Sequence, residues 1–229
     1  GAEVNAALDA RGYPLCKGGV MASNPACCMS GQEWLQAFGL WLEHGAPEDL
    51  LKASIYFDFR PLWGQLSLAA PLRALLDGHA ARLPRFMRQM AENALRQRPP
   101  LNWLGALDPG EIEGRSGIDL KLQGTALFVD VARIYALAHG LPLTNTRARL
   151  EAMGRALHAE PQESQAWVGA FEFLQMLRLR LQMEQQDTLH APPNWQPLDG
   201  LNDIDRRMLK ESLRIARRLQ QRLELDYLR

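Results

Sequence analysis

The sequence contains few lysines and no long hydrophobic run. Lysine accounts for only four of the 26 basic residues, the rest being arginine, and 26 acidic residues bring the formal net charge to +0. Because binding to a phosphate backbone depends on a basic surplus that releases counterions, this balance excludes nonspecific nucleic-acid binding. No apolar run approaches the roughly 20 residues that cross a bilayer, so we expect neither a nucleic-acid partner nor a membrane partner.

Cysteine is also scarce, with Cys16, Cys27 and Cys28 as its three positions. An odd number of cysteines is not a disulfide framework, and no Cys-x-x-Cys pair indicates a zinc site. Free thiols are typical of a reducing compartment, so we expect a cytoplasmic protein. The first ten residues lack the basic and apolar regions of a signal peptide. They are typical of the end of an amphipathic helix, which predicts that the chain is cut from a longer one.

Familiar catalytic patterns are missing as well. The sequence has no phosphate loop of the form G-x-x-x-x-G-K-S/T, no G-x-S-x-G nucleophile turn and no H-E-x-x-H zinc motif. No pair of acidic residues stands out as a magnesium site. We therefore expect no catalytic residue and no metal ligand within these residues.

The apolar residues that are present recur mainly at helical spacing. Hydrophobic residues make up 47% and charged residues 23%, which is the balance of a globular protein of one or two domains. Spacings of three and four residues predict helices over 30–44, 46–59, 83–98, 124–139, 146–158, 164–186 and from 202 to the end, with Thr146 as one N-cap. Within 46–59, residues 55–57 also favour a strand, and we choose the helix because of the residues that precede them. Residues 15–22 are interpreted as a short strand and 107–117 as an exposed glycine-rich loop. The prediction is a mainly α fold, a helical bundle with a small α/β segment at the N terminus.

The first candidate site is the stretch that contains Gly18, Gly19, Ser23 and Asn24. Two glycines let a backbone approach a ligand closely, and the serine and asparagine side chains offer hydrogen bonds. The competing interpretation is a simple change from strand to turn.

The second candidate site is Asp58 with Arg60, which lie among four aromatic residues. Charged groups in such surroundings lose water and need a partner. Either they pair with each other, or Arg60 faces a phosphate while Asp58 faces a metal or a hydroxyl group.

The third candidate site combines Lys121 with Asp130 and Arg133. Asp130 and Arg133 are three residues apart and share one face of a predicted helix, and Lys121 precedes that helix. An internal salt-bridge network and a ligand site both remain open as explanations.

In their order, these segments make the chain resemble a known family. Residues 12–25 and 57–64 resemble the end of the nucleotidyltransferase domain of bacterial CBS-domain signalling proteins, which gives a predicted first domain over 1–78. The rest resembles the helical substrate-binding domain that follows it, over 79–229. The pieces that carry this second likeness are Asp119-Leu120-Lys121 with Gly124, Asp130 with Arg133, Thr146 with Arg149, and Asp205-Arg206 with Lys210.

The resemblance implies a larger parent protein. Such proteins carry a cyclic-nucleotide-binding domain and CBS domains upstream, and their transferase domain is similar to PII-protein uridylyltransferases. That superfamily holds a nucleoside triphosphate with a Gly-Ser motif and two magnesium ions with an Asp-x-Asp pair. We expect these motifs before residue 1, so this fragment should be inactive alone and need no cofactor, whereas the parent should need magnesium and NTP. The acceptor would be a protein, and the candidate residues would bind substrate.

Two alternatives to this function stay open. The chain could be a non-catalytic regulatory module that relays CBS or cyclic-nucleotide signals, with the Leu213 and Leu225 side of the last helix forming a homodimer. It could also be a helical domain that binds a small molecule in an apolar pocket.

Overall fold

A computed structural model describes residues 1–184 and 194–229 of the chain. The described residues are mainly helical, with nine α-helices and one small antiparallel sheet, which confirms the predicted fold class. The helices are α1 (Ala2–Asp9), α2 (Gly31–His44), α3 (Pro47–Tyr56), α4 (Ala70–His79), α5 (Pro84–Ala94), α6 (Ala126–Ala138), α7 (Thr146–Ala156), α8 (Pro161–Glu184) and α9 (Asp203–Leu228). The strands are β1 (Gly110–Ile112), β2 (Arg115–Asp119) and β3 (Trp195–Pro197).

The N-terminal part is built from helices and turns. Ser30 starts α2 with a capping box, in which its hydroxyl accepts from the Glu33 N–H and its own N–H donates to the Glu33 carboxylate. The strand predicted at residues 15–22 is wrong, because these residues form turns and pair with no strand of residues 1–184 or 194–229. Instead, Gly19 N–H donates to the Cys16 carbonyl in a turn, and Gly19 has a φ of 71°.

The sheet lies in the helical part instead, where its strand order is β1-β2-β3. Glu113 and Gly114 have φ values of 51° and 74° and join β1 to β2 as a two-residue hairpin turn. The exposed loop predicted at 107–117 is therefore wrong for residues 110–112 and 115–117, which form strands on either side of this turn. Trp195 of β3 covers β2 so closely that a Cβ on Gly117 would lie 2.6 Å from the indole ring.

Most residues of the hydrophobic core lie in a bundle of α5 to α9. Helix α6 is buried on almost every side, since nine of its residues are buried, and it packs against α5, α7 and α9. One π-helical turn, Lys121–Thr125, leads into α6. Tyr135 of α6 donates its hydroxyl hydrogen to Asp226 Oδ2 of α9 at 2.5 Å, so even this polar group is satisfied inside the bundle.

Helix α9 differs from its prediction in one important respect. Leu213 is fully buried against the bundle, whereas Leu225 is 55% exposed. The predicted dimer surface on the Leu213 side of this helix is therefore wrong. The predicted start is confirmed, because Asn202 Oδ1 accepts from the Asp205 N–H at 2.8 Å.

Arginines of α9 also secure the segment that follows α5. Arg214 Nε donates to the Gly105 carbonyl at 3.0 Å, and Arg217 donates to the carbonyls of Leu101 and Asn102. These side chains bind backbone carbonyls of the loop, and the Asn102 carbonyl also accepts from the Gly105 N–H within it. The guanidinium groups thereby fix an irregular segment on the bundle.

The predicted N-cap of α7 and the predicted start of α8 are wrong. Asn145 caps α7 through the Ala148 N–H, whereas Thr146 is the first helical residue. Helix α8 begins at Pro161 rather than at residue 164, and residues 185–186 of its predicted end lie outside the described residues. None of the helices in the described ranges is both long enough and apolar enough to cross a membrane.

Candidate functional site

A cluster of aromatic rings around Phe57 positions the carboxylate of Asp58. Phe57, which follows α3, is buried with its ring centroid 5.0 Å from that of Phe38 in α2 and 6.1 Å from that of Phe86 in α5. Aromatic rings at such separations pack firmly and hold the local backbone. The next residue, Asp58, is consequently directed toward the bundle.

Asp58 accepts hydrogen bonds from two arginines of the bundle. Arg133 donates through Nε and Nη2 to Oδ2, at 3.0 and 2.8 Å, and Arg149 donates through Nη2 to Oδ1 at 2.5 Å. Of the two interpretations left open for Asp58 and Arg60, their pairing with each other is wrong, because Asp58 pairs with these two arginines instead. The predicted pairing within α6 is confirmed, since Arg133 Nη1 donates to Asp130 Oδ1 at 2.9 Å. We call Asp58, Asp130, Arg133 and Arg149 the ion-pair cluster.

Arg149 is the most deeply buried member of the ion-pair cluster. Its side chain is 2% exposed, and its Nε donates to the Leu143 carbonyl at 2.7 Å. Its remaining nitrogen, Nη1, is buried and has no hydrogen-bond partner among the described residues. The two guanidinium groups and two carboxylates thus balance in charge, and five hydrogen bonds join them to one another and to the Leu143 carbonyl.

Burial and the neighbouring arginine charges shift the pKa values of Asp58 and Asp130 in opposite directions. Burial alone would raise the pKa of Asp58, but hydrogen bonds from Arg149 and the charge of Arg133 outweigh it, and the pKa falls below its usual range. Burial raises the pKa of Asp130, and the charge of Arg133 offsets this only in part. The ionised Asp58 is therefore a structural counterion that holds the N-terminal part on the bundle.

A hollow of about 580 Å³ lies between the glycine turn and helices α2 and α3. Three of the first candidate residues line it, namely Gly18, Gly19 and Asn24. The Asn24 side chain closes the turn, because its Nδ2 donates to the Gly19 carbonyl at 2.8 Å and its Oδ1 accepts from the Ala26 N–H. Ser23 lies next to this turn, where its N–H donates to Asn5 Oδ1, but it does not line the hollow.

The opposite wall of this hollow, which we call the aromatic hollow, is formed by helix side chains. The rings of Trp34, Trp41 and Tyr56 line it, and the centroid of Tyr56 lies 5.1 and 5.4 Å from those of the two tryptophans. Lys52 and Glu48 are its charged lining residues. The arrangement combines apolar rings, a few polar groups and one cation, as ligand pockets do.

Tyr56 contributes a protonated hydroxyl group to the aromatic hollow. Its oxygen lies 3.3 Å from Cys27 Sγ, and this hydrogen bond, with burial, raises the pKa of Tyr56 to about 12. At neutral pH the group can donate or accept one hydrogen bond. Sequence patterns did not single out these lining residues, because aromatic residues at helical spacing are also typical of a core.

The two remaining candidate residues, Arg60 and Lys121, belong neither to the ion-pair cluster nor to the aromatic hollow. Arg60 and Lys121 are both exposed, and neither takes part in an ion pair within residues 1–184 and 194–229. Asp119 Oδ1 accepts from the backbone N–H groups of Lys121 and Leu122, so it serves to turn the chain into α6. The structure thus brings Asp58, Asp130 and Arg133 together and leaves Lys121 apart from them.

An Asp-x-Asp spacing occurs at Asp203 and Asp205, in the first turn of α9. The Asp205 carboxylate pairs with Arg180 at 2.8 Å, and both acids lie at the positive end of the helix dipole. Over the described ranges, no group of three or more histidine, cysteine or acidic side chains is close enough to hold a metal ion.

Residues 84–227 match a known protein family, which is described as Putative nucleotidyltransferase substrate binding domain. Residues 1–48 match a second family, described as Putative nucleotidyltransferase DUF294. No curated protein and no solved structure matches the chain. The first family covers more than half of the sequence, including the whole of α6 and α7 with their three members of the ion-pair cluster. The chain therefore belongs to the putative nucleotidyltransferase substrate-binding domain family.

Proposed function

We propose that this chain is the substrate-binding portion of a nucleotidyltransferase similar to PII-protein uridylyltransferases, within a bacterial signal-transduction protein. In this proposal the Gly-Ser and Asp-x-Asp residues that hold NTP and magnesium belong to another segment of the same protein, as do CBS and cyclic-nucleotide-binding domains. The acceptor is a protein. The family match over residues 84–227 supports the class of domain.

The aromatic hollow is the observation that carries the binding role. Heteroaromatic bases stack on tryptophan and tyrosine rings, and a lysine is suited to phosphate. Trp34, Tyr56 and Lys52 supply these groups in one hollow of about 580 Å³, a volume typical of a small-molecule site. We therefore propose that the aromatic hollow binds the nucleoside of the transferred nucleotide and one of its phosphates, while the Gly-Ser and Asp-x-Asp residues hold the other phosphates and magnesium.

The ion-pair cluster supports this assignment indirectly. Because Asp58 follows α3 and bonds to Arg133 and Arg149, it fixes one wall of the aromatic hollow relative to the bundle. A fixed wall presents a substrate in one orientation, which is how binding energy aids a transfer reaction. Exposed Lys121 and Arg60 are then left for contact with acidic groups of the protein acceptor.

The test uses the full-length parent protein, magnesium and each of the four ribonucleoside triphosphates labelled at the α-phosphate. We expect label to reach a protein acceptor, and Lys52→Ala to lower kcat/KM by about tenfold through loss of a phosphate contact. Lys17→Ala is the matched control, since Lys17 is exposed near the aromatic hollow but does not line it. Equal effects of the two substitutions would overturn the site, and transfer by the 229-residue chain alone would overturn the placement of the catalytic residues.

A second candidate function, that of a regulatory dimerisation module, is favoured by one surface of α8. Met176, Leu179 and Met183 are 55%, 57% and 64% exposed and recur at helical spacing on one side of the helix. Such a stripe suits packing against a second copy. A molar mass of two chains in light scattering, reduced to one chain by Leu179→Gln, would support it; a wild-type monomer would contradict it.

A further inference from the structure

A second hollow, of about 750 Å³, lies where the β1–β2 hairpin meets the start of α9. Four of its lining residues are cations, and one is an acid, Asp199. The cations are Arg115, Arg206, Arg207 and Lys210. The chain as a whole has a formal charge of +0, so this positive surplus is a local feature of the surface. We call it the basic hollow; it shares no lining residue with the aromatic hollow.

The spacing of three of these cations concentrates their charge. Arg206 and Lys210 are four residues apart in α9, and Arg207 and Lys210 are three apart, so their side chains share one face. Like charges at these spacings repel each other and destabilise a helix. No ion pair within the described ranges relieves this repulsion at Arg207 or Lys210. A bound anion would relieve it.

One arginine of the basic hollow is already held in place. Arg206 Nη2 donates to the Leu198 carbonyl at 2.6 Å, which fixes the plane of its guanidinium group. The Leu198 N–H in turn donates to the Ser116 carbonyl, so the carbonyl that holds Arg206 belongs to the edge of the sheet. A fixed guanidinium fork matches the oxygen geometry of phosphate and loses little freedom when it binds.

We propose that the basic hollow binds a small polyphosphate ligand, meaning a compound with two or more linked phosphoryl groups. The hollow is lined by four cations and only one acid, Asp199, which leaves a surplus of positive charge. This surplus suits a ligand with several negative charges better than a ligand with a single carboxylate group. The volume falls within the range of small-molecule sites and indicates a compact ligand. This site goes beyond the proposed function, because the transferred nucleotide is assigned to the aromatic hollow.

The test is isothermal titration calorimetry of the 229-residue chain with sodium tripolyphosphate. We expect one saturable site, weakened at least about fivefold by Arg207→Gln and again by Lys210→Gln, with a weaker salt dependence in each variant. Arg218→Gln is the matched control. Arg218 is exposed on α9 and lies about three helical turns, or roughly 16 Å, beyond Arg207 on the same face. This variant should bind as tightly as the unmodified chain.

Adenosine and ATP provide two further arms that distinguish the sources of phosphate. Equal affinities for ATP and tripolyphosphate would support recognition of the phosphoryl groups alone, and tighter binding of ATP would support a nucleotide ligand. Adenosine binding that is as tight as that of ATP and is weakened by Arg207→Gln would overturn the proposal. No saturable binding of tripolyphosphate at millimolar concentration would also overturn it, as would equal weakening by Arg218→Gln and Arg207→Gln. The tripolyphosphate arm involves no nucleoside and no transfer step, so its result is independent of the proposed function. Because the aromatic hollow is proposed to bind a nucleoside, only the part of ATP or adenosine binding that Arg207→Gln weakens is assigned to the basic hollow.

Discussion

Arg149 donates to the carboxylate of Asp58 across a sequence separation of 91 residues. The arginine is 2% exposed and the aspartate is 25% exposed, so the pair lies mostly away from water. A buried guanidinium group is tolerated only with a counterion, since its loss of hydration is otherwise uncompensated. The contact therefore makes the fit between the N-terminal part and the bundle depend on one carboxylate.

Asp58→Asn should destabilise the protein severely. The substitution keeps the shape of the side chain but leaves Arg149 and Arg133 without their shared counterion. Breaking a buried pair costs about 3–5 kcal/mol, and the partial exposure of Asp58 lowers our expectation to about 2–4 kcal/mol. Urea unfolding at neutral pH, followed by circular dichroism, measures the free energy of unfolding directly.

The matched control for this prediction is Glu92→Gln. Glu92 pairs with Arg88 at 3.0 Å, and both side chains are about half exposed. Exposed pairs at this helical spacing contribute about 0.3–0.5 kcal/mol. A loss for Asp58→Asn no larger than that for Glu92→Gln would show that Arg149 and Arg133 find other compensation.

The contribution of Asp58 to stability should disappear in acid. Its pKa in the folded chain lies below the unfolded value of about 3.9, so its stabilising effect is complete above that value and is lost as the pH falls through the folded pKa. The difference in free energy of unfolding between the unmodified chain and Asp58→Asn should be constant from pH 7 to about pH 5 and narrow below about pH 4. Urea midpoints measured across this range provide the check.

Asp130 supplies a comparison of opposite sign for the same experiment. Its folded pKa is raised, so protonation favours the folded state and the unmodified chain should gain stability relative to Asp130→Asn as the pH falls. Parallel pH profiles for Asp58→Asn and Asp130→Asn would contradict the assignment of these two shifts.

The sequence predicted the local half of the ion-pair cluster and not the distant half. Asp130 and Arg133 are three residues apart on a helix, so their pairing follows from helix geometry alone. The bonds from Asp58 span 75 and 91 residues, and no periodicity reports which remote residue a carboxylate will meet. Arg149 was therefore recognised only as part of a family likeness.

The sheet was missed for a different physical reason. Its strands are three to five residues long, and Gly110 and Gly117 occupy positions where an alternating strand would place side chains. Those glycines leave room for the Trp195 ring, which covers this face of the sheet. Trp195 follows α8 in the sequence and is therefore remote from both glycines along the chain. When the apolar side chain that covers a strand belongs to a remote residue, the strand itself lacks the alternation of apolar and polar residues by which strands are predicted.

Two helical glycines should respond in opposite ways to alanine. A Cβ on Gly154 in α7 would lie 2.2 Å from Ser164 Oγ and 2.7 Å from its Cβ, so we expect Gly154→Ala to destabilise the fold by about 1–3 kcal/mol. A Cβ on Gly169 in α8 would meet nothing within 4 Å. Gly169→Ala should therefore stabilise the fold by about 0.5–1 kcal/mol through helix propensity. Thermal unfolding of both variants tests the packing of α7 on α8, and a stabilising Gly154→Ala would contradict it.

The turn between β1 and β2 holds a residue that is poorly suited to its backbone. Glu113 has a φ of 51°, a conformation that asparagine and glycine adopt more readily than glutamate, and asparagine followed by glycine is the preferred pair for this kind of hairpin. Glu113→Asn should thus stabilise the chain by about 0.5–1 kcal/mol in urea unfolding. Glu111→Asn removes the same charge from an exposed position within β1, where asparagine is unfavourable, and should give no gain. If both substitutions stabilised the chain equally, loss of negative charge rather than relief of the turn would be the cause.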